Sequence, residues 1–309
     1  MTGGAGFIGS HVVDALLDEG NRVVVIDDLS SGKPELVNPA ADLVTLDIRN
    51  HQELDAALDR AKPTAIYHLA AQSSVMVSVQ DPRQDCEINV QGTLNVLEAA
   101  RRCNAPVTFA STGGALYGKD APIPTPERFI PSPLPPYGAS KWAAETYVNT
   151  WANASRLPHS ILRISNVYGP RQSPHGEAGV VAIFSYALWR GQRSRMYGHG
   201  NPTRDYIHVA DVAEAMMRAN RWRGTVNVST GIETSVEDVY SILADAAEVS
   251  LEPELLPLRE GELERSCMDP SLAEWMLGWR AQIPLAEGLP QTYRELVAEF
   301  EAREPAAAR

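Results

Sequence analysis

Cysteine is scarce in this chain of 309 residues: Cys86, Cys103 and Cys267 stand far apart. No two have metal-ligand spacing, and an odd, scattered set does not make a disulfide framework. Reduced thiols in a cytoplasmic protein are the expectation. Long apolar runs are also missing. Nothing approaches the roughly 20 residues needed to span a bilayer, and no basic stretch leads into an apolar core as in a secretion signal. Positive charge is short as well, with 27 Lys and Arg against 39 Asp and Glu and a formal net charge of −12. That field disfavours nucleic acid and anionic membranes as partners. It leaves room for an anionic small substrate, because a few arginines can reverse the potential inside a cleft. There are no internal repeats. At 44% hydrophobic and 21% charged, the composition is that of a globular protein with ample core material. The length fits one large domain or two modest ones.

The first half alternates short apolar runs with amphipathic stretches. Residues 22–26, 43–46, 65–69, 107–111 and 160–164 read as strands; 11–19, 52–60, 89–102 and 141–151 carry helical spacing. Strands alternating with helices imply βαβ units, and continuously apolar strands imply burial on both faces of a parallel sheet. The rhythm breaks after Asn166, where Gly and Pro cluster between 169 and 179 before a helical run at 180–189. The fold class expected is α/β: a doubly wound parallel sheet of the Rossmann type, with a smaller C-terminal α/β substrate lobe. Residues 1–165 would form the first domain, with 204–228 returning to it. Residues 166–309 would form the lobe, its Ala-rich end frayed. The apolar strand that should precede the glycine loop is missing, and a start a few residues upstream of Met1 is the favoured explanation.

Three groups carry chemistry. The opening Thr2-Gly3-Gly4-Ala5-Gly6-Phe7-Ile8-Gly9 spaces glycines as G-x-x-G-x-x-G and runs into a helical pattern. Glycine permits a tight turn and close approach to a pyrophosphate, whose charge the helix N-terminus meets. Alone, such a triplet is equally a flexible loop. Asp27 ends the next strand about 20 residues on, where a carboxylate accepts both hydroxyls of an adenine ribose and repels a 2′-phosphate. Tyr137-Gly138-Ala139-Ser140-Lys141 places a phenol and an ammonium on one helix face. The cation favours phenolate and makes Tyr137 a general base near neutrality. An exposed helix start is the plain alternative.

These features, with the strand Phe109-Ala110-Ser111-Thr112 before Tyr117-Gly118, fall in one order. The second half adds Asn166-Val167-Tyr168-Gly169-Pro170-Arg171, Arg204-Asp205-Tyr206-Ile207-His208-Val209 and Leu277-Gly278-Trp279. Over nearly its whole length the chain resembles the extended short-chain dehydrogenase/reductase family of NAD-dependent epimerases and dehydratases. It looks most like the UDP-glucose (UDP-galactose) 4-epimerases in that family. The resemblance implies NAD held at the pyrophosphate by Gly3, Gly6, Phe7, Ile8 and Gly9. It implies a ribose site at Asp27 with Asp28, Leu29 and Ser30 beside it, and adenine contacts at Asp47 and Ile48. Leu69, Ala70, Ala71 and Asn89 would line the middle of the cofactor, and Tyr137 and Lys141 its nicotinamide end. Thr112 or Ser111 would link the sugar to Tyr137; Thr112 is preferred. Asn166, Arg204 and Arg259 match positions for a UDP diphosphate, and Val180, Val181, Tyr197 and Glu262 more loosely a uridine pocket. A homodimer of paired helices is the family expectation; the Trp and Tyr residues of Trp142–Trp151 read as helix packing, with a place at a dimer interface as the other option.

The reaction implied is 4-epimerisation of a UDP-hexose through a 4-keto sugar. A 4,6-dehydratase needs an acid and base just after the active-site Thr, where this chain has Gly113 and Gly114. A UDP-glucuronate 4-epimerase and a non-catalytic NAD-binding homologue are the other readings. Pro174-His175-Gly176-Glu177 is not expected to bind a metal, for want of a third ligand. His68 is expected to be structural.

Overall fold

A computed structural model describes residues 1–175, 179–259 and 262–303. Five strands of the first half form as the apolar runs predict, each within one or two residues at its ends: β1 (Val24–Asp27), β2 (Asp42–Thr45), β3 (Ile66–His68), β4 (Val107–Thr112) and β5 (Ser160–Ile164). All strand pairings β1–β2, β3–β4 and β4–β5 are parallel. Every residue of β5 is buried, as continuous apolar runs require.

The slot between β1 and β3 is filled by the first three residues. Thr2 bridges Ile26 on one side and His68 on the other, both in parallel. Its amide donates to the Tyr67 carbonyl at 2.9 Å and its carbonyl accepts from the Leu69 amide at 3.1 Å; the Gly3 amide donates to Ile26 at 2.8 Å. The sheet order is therefore β2-β1-Thr2-β3-β4-β5, and the central ladder continues straight into the glycine loop.

Helices cover both faces. On one side α1 (Phe7–Asp18) buries Val12, Val13 and Leu16 against α8 (Val209–Arg218) and α10 (Ser271–Leu277). On the other, α2 (His51–Ala61), α5 (Gly92–Arg102) and α6 (Pro136–Ser155) bury Leu54, Leu97 and Val148 around Phe109 and Ile161. The run expected as one helix over 89–102 begins as a π-helical turn at Glu87–Gln91, which buries Asn89.

Ser165 is the hinge to the second lobe. One residue beyond β5 the chain enters β6 (Asn166–Tyr168), which lies parallel to β8 (Thr203–His208); β10 (Glu233–Ser235) pairs antiparallel with β8. A parallel pair, β7 (Arg195–Tyr197) and β11 (Glu254–Leu256), sits beside them. Helices α7 (Val180–Trp189), α9 (Val236–Ala246) and α11 (Leu285–Arg303) close a separate core around Phe184, Tyr240 and Leu289.

The expected return of 204–228 to the first sheet needs correction. β9 (Gly224–Val228) does pair parallel with β5, and α8 packs on α1, but residues 203–208 belong to the second sheet. Its pairing with β6 and β10 is what places β8 in the second sheet. Conversely, α10 and Trp279 belong to the first core, although they lie late in the chain. Trp279 is anchored by its indole N–H donating to the Asp211 carbonyl at 3.1 Å.

Asp205, 1% exposed, ties the two sheets together. Its Oδ1 accepts from the amide and hydroxyl of Thr230 at 2.9 and 2.8 Å, and its Oδ2 from the Gly231 amide at 2.9 Å. Replacing Asp205→Ala strands two half-buried amides and should lower the unfolding free energy by about 2 kcal/mol. Urea denaturation checks this; a loss below about 1 kcal/mol would show that the clamp contributes little.

Candidate functional site

Helix α1 starts without a cap. Gly6 is its N-cap, no side chain bonds the free amides, and the first turn holds no acid. Uncapped amides carry the positive end of the helix dipole and leave it open to an anion. Side chains are excluded from the approach. Gly3 has φ +72° and a Cβ there would lie 2.5 Å from the Ala70 nitrogen; at Gly9 it would lie 1.9 Å from the Gly3 carbonyl oxygen. The loop at 69–71, expected beside the cofactor, is thus pressed directly against the glycine turn.

Asp27 stands at the end of β1 and is nearly buried. Its Oδ2 accepts from the Ala5 amide at 2.9 Å and its Oδ1 from the Leu29 amide at 3.0 Å. Burial raises its pKa above the usual carboxylate range, and these two bonds oppose that. Each oxygen keeps a free lone pair for a hydroxyl. Leu29 takes φ +61°, and the Ser30 amide and hydroxyl both donate to Asp28 Oδ1 at 2.9 and 2.7 Å. Asp47 is held by Arg49, whose Nε lies 2.8 Å from its Oδ2, and this pairing draws its pKa down. Ile48 is buried against Gly92, so little of its side chain faces the cleft.

Tyr137 and Lys141 lie in the first two turns of α6, which opens with Pro136 at its first position. Gly138 is required between them, because a Cβ there would meet the Ala115 carbonyl at 2.2 Å. The loop after β4 therefore lies on the helix start, and the Thr112 hydroxyl stands near enough to the Tyr137 phenol to act on its pKa. Tyr137 is partly exposed as a residue, yet its hydroxyl is enclosed. Burial pushes its pKa up to about 12, with Thr112 opposing and Asp85 reinforcing. The expected lowering by Lys141 needs correction: burial dominates, and the influence that opposes it comes from Thr112.

Lys141 is 3% exposed, with Nζ 4.2 Å from the centre of the Phe109 ring. Burial draws its pKa down to about 8, against the pull of Glu145 and Asp85. Ser111 turns the other way from Thr112, as alternation along a strand demands. Its hydroxyl donates to Glu145 Oε1 at 2.5 Å, and Glu145 is clamped by Arg163, with Nη2 2.7 Å from Oε2. Arg163 Nη1 also donates to Tyr117 Oη at 2.9 Å, which donates onward to Asn227 Oδ1 at 2.7 Å. Ser111, Glu145, Arg163 and Tyr117 form a buried scaffold behind Thr112. Glu145 is one helical turn beyond Lys141, a signal present in the sequence and unused; nothing in the sequence marks Arg163 as its partner.

His68 is structural, as expected. Thr93 donates to the Asn89 carbonyl at 2.6 Å and so accepts from His68 Nε2 at 3.0 Å; Nδ1 accepts from Thr2 Oγ1 at 2.7 Å. Burial, then the Lys141 charge, lower its pKa to about 3, and it stays neutral. Asn89 is saturated by Gln72, Asp85 and Ser140 rather than reaching into the cleft.

The second lobe supplies the cations. Asn166 and Tyr206 are register partners, so Asn166 and Arg204 share one face of the β6–β8 pair. Asn166 Oδ1 lies 3.5 Å from where a Cβ of Gly114 would stand. That face thus looks toward the Thr112 loop. Among the described residues Arg204 bonds to carbonyls, those of Thr203 at 2.8 Å and Glu264 at 3.5 Å. Arg259 stacks on the Tyr197 ring at 3.7 Å and pairs loosely with Glu262 at 3.6 Å. The charge of Glu262 also reaches Arg204, so Tyr197, Arg204, Arg259 and Glu262 form one cluster. Val180 is partly exposed at the start of α7, but Val181 is a correction: its side chain is buried with Phe184 and Leu188 in the lobe core. Helical period turns position 181 inward.

His175 packs edge-on to Tyr186 at 5.1 Å, and Glu177 lies outside the described residues. Among the described residues there is no cluster fit to hold a metal ion and no helix long and apolar enough to cross a membrane.

Residues 1–229 match the NAD dependent epimerase/dehydratase family, and the chain belongs to it. It is 45% identical over 301 residues to the UDP-glucose 4-epimerase of Mycolicibacterium smegmatis, covering 94% of this chain and 96% of that one. Its structure is similar to that of a UDP-glucose 4-epimerase from Thermotoga maritima determined with UDP-glucose: TM-score 0.95, 40% identity, 97% of this chain and 98% of the other. It is similar also to the Thermus thermophilus UDP-glucose 4-epimerase in complex with NAD: TM-score 0.90, 41% identity, 96% of this chain and 97% of the other.

Gly9→Ala should remove cofactor binding, since its clash is with backbone that cannot move aside. Melting curves with and without added NAD check this. Stripped of bound nucleotide, the wild type should gain stability when NAD is added, while the variant should not respond.

Proposed function

We propose that the chain interconverts UDP-galactose and UDP-glucose by NAD-dependent 4-epimerisation. The observation that carries this reading is the Thr112 hydroxyl set near enough to the Tyr137 phenol to act on its pKa, beside a buried lysine, with glycine and no carboxylate at 113 and 114. NAD would rest on the uncapped start of α1, with its ribose at Asp27, and when bound it supplies a hydride acceptor and a fixed positive charge.

Tyr137 takes the proton from the sugar 4-hydroxyl through Thr112, and returns it when the 4-keto sugar is reduced from its opposite face. Thr112 suits this relay because a hydroxyl both donates and accepts. Lys141 contributes a charge close to the phenol, and its burial makes that charge effective over a short distance. Arg204, which bonds no carboxylate among the described residues, and Arg259 offer forked donors to the diphosphate, with Asn166 on the same side. A grip on the diphosphate, away from the reacting carbon, lets the sugar present either face.

A dehydratase would need an acid and a base here. At Gly113 a Cβ would stand 1.9 Å from Met268 Sδ, so a carboxylate there would have to displace that side chain. Gly114 offers none either.

A second copy of the chain is the proposed partner. Met76 (56% exposed), Val79 (62%) and Tyr147 (38%) leave apolar area on α3 (Val75–Gln80) and α6. The three separate free thiols suit a cytoplasmic setting.

Purified protein should equilibrate UDP-galactose with UDP-glucose without added NAD; a product lacking the elements of water would overturn the assignment. Thr112→Val should lower kcat by about 10²-fold or more. Ser111→Ala, which touches only the scaffold, should retain most of kcat while lowering the melting temperature.

A further inference from the structure

Burying Lys141 creates an electrostatic problem that its neighbours must solve, because an ammonium withdrawn from water tends to lose its proton. Two carboxylates act on it, Glu145 from its own helix and Asp85 from the short helix α4 (Pro82–Cys86). They are not equivalent. Glu145 is paired: Arg163 grips both its oxygens, at 3.1 Å from Nε to Oε1 and 2.7 Å from Nη2 to Oε2. Glu145 exerts the larger pull on the ammonium, but its charge is shared with the guanidinium, whereas that of Asp85 is not.

Asp85 has no cation bound to it among the described residues. The side chain is 1% exposed, and its Oδ1 accepts only from neutral amides, Gln72 Nε2 at 2.8 Å and Asn89 Nδ2 at 3.1 Å. Oδ2 is buried and has no hydrogen-bond partner among the described residues. A bare, buried carboxylate oxygen is costly unless its charge serves a nearby cation. The titratable groups around the ammonium are Tyr137 and Glu145 on α6, Asp85 on α4 and His68 on β3, the last held neutral; β4 presents the Phe109 ring. Lys141 is the one cation among them. The amides that fix Asp85 also bind it into the site: Asn89 Nδ2 reaches Ser140 Oγ at 3.0 Å, next to Lys141.

We propose that Asp85 is a positioning residue whose uncompensated carboxylate keeps the buried Lys141 ammonium protonated. It acts through Lys141 and touches no reacting atom. The inference rests on the Tyr137–Lys141 reading for its catalytic meaning, though the coupling of the two charges stands apart from it.

The chain has four lysines, Lys33, Lys62, Lys119 and Lys141, so labelled lysine side chains give few resonances to resolve. Lys141 is assigned by its disappearance in Lys141→Arg, and its protonation is followed by NMR across pH. In Asp85→Asn, which preserves the amide contacts, the midpoint should fall by about one pH unit. Asp85→Glu should restore it at least in part. Asp85→Ser removes the same charge in less volume, and serves if the asparagine variant does not fold. An unchanged midpoint in a folded, charge-free variant overturns the proposal. The alkaline limb of kcat/KM should move with the midpoint. A midpoint that moves while the limb stays supports the charge coupling and counts instead against Lys141 as the group that limits catalysis.

Discussion

The docking of α6 onto the ends of β4 and β5 is the constraint on which the site depends. One helical face carries Tyr137, Lys141 and Glu145 at intervals of one turn. Glu145 is seized from beneath by Arg163 of β5 and Ser111 of β4. That fixes the height and rotation of the helix, and so brings the phenol at its start to Thr112 at the strand end. Side chains of Glu145 and Arg163 are 3% and 7% exposed. Such a pair adds little net stability over apolar packing, but breaking it leaves a buried charge. Its contribution is register.

The first-domain site is tightly filled, and glycine marks where. Gly3, Gly9, Gly113 and Gly138 each face backbone or side-chain atoms closer than any Cβ could tolerate. Two of them shape the dinucleotide turn, one admits Met268 behind Thr112, and one seats the β4 loop on α6. The second lobe is built differently. It contributes Asn166, Arg204 and Arg259 from separate elements, and joins the first through Ser165, Asp205 and an ion pair of Arg171 with Asp14 on α1 at 2.7 Å. Both lobes meet over the carboxyl end of the parallel sheet, where open α/β folds place their ligands.

Much of this was legible in the residues. Apolar runs located five parallel strands, since burial on both faces leaves no polar alternation. The glycine spacing, Asp27 and the i, i+4 pair of Tyr137 and Lys141 are local patterns, and local patterns survive in sequence. Resemblance extended the reading to Asn166, Arg204 and Arg259. It placed Val181 in a ligand pocket, and helical period sent that side chain to the core. It left Ser111 and Thr112 undecided, because neighbouring strand residues differ only in which face they meet.

What tertiary structure alone decided is pairing between distant segments. Residues 1–3 became the central strand because hydrogen bonds from β1 and β3 converge there, although three residues carry no strand pattern. β8 joined the second sheet while β9 returned to the first, a choice made by ladder partners and not by composition. Asp85 and Arg163 became parts of the site through folding: one is a residue on a short surface-like helix, the other a charge in an apolar strand, and neither has a neighbour in sequence that reveals its role. Sequence determined which local geometries the chain could adopt; the balance of charge and space around the buried lysine arose only when remote segments were packed together.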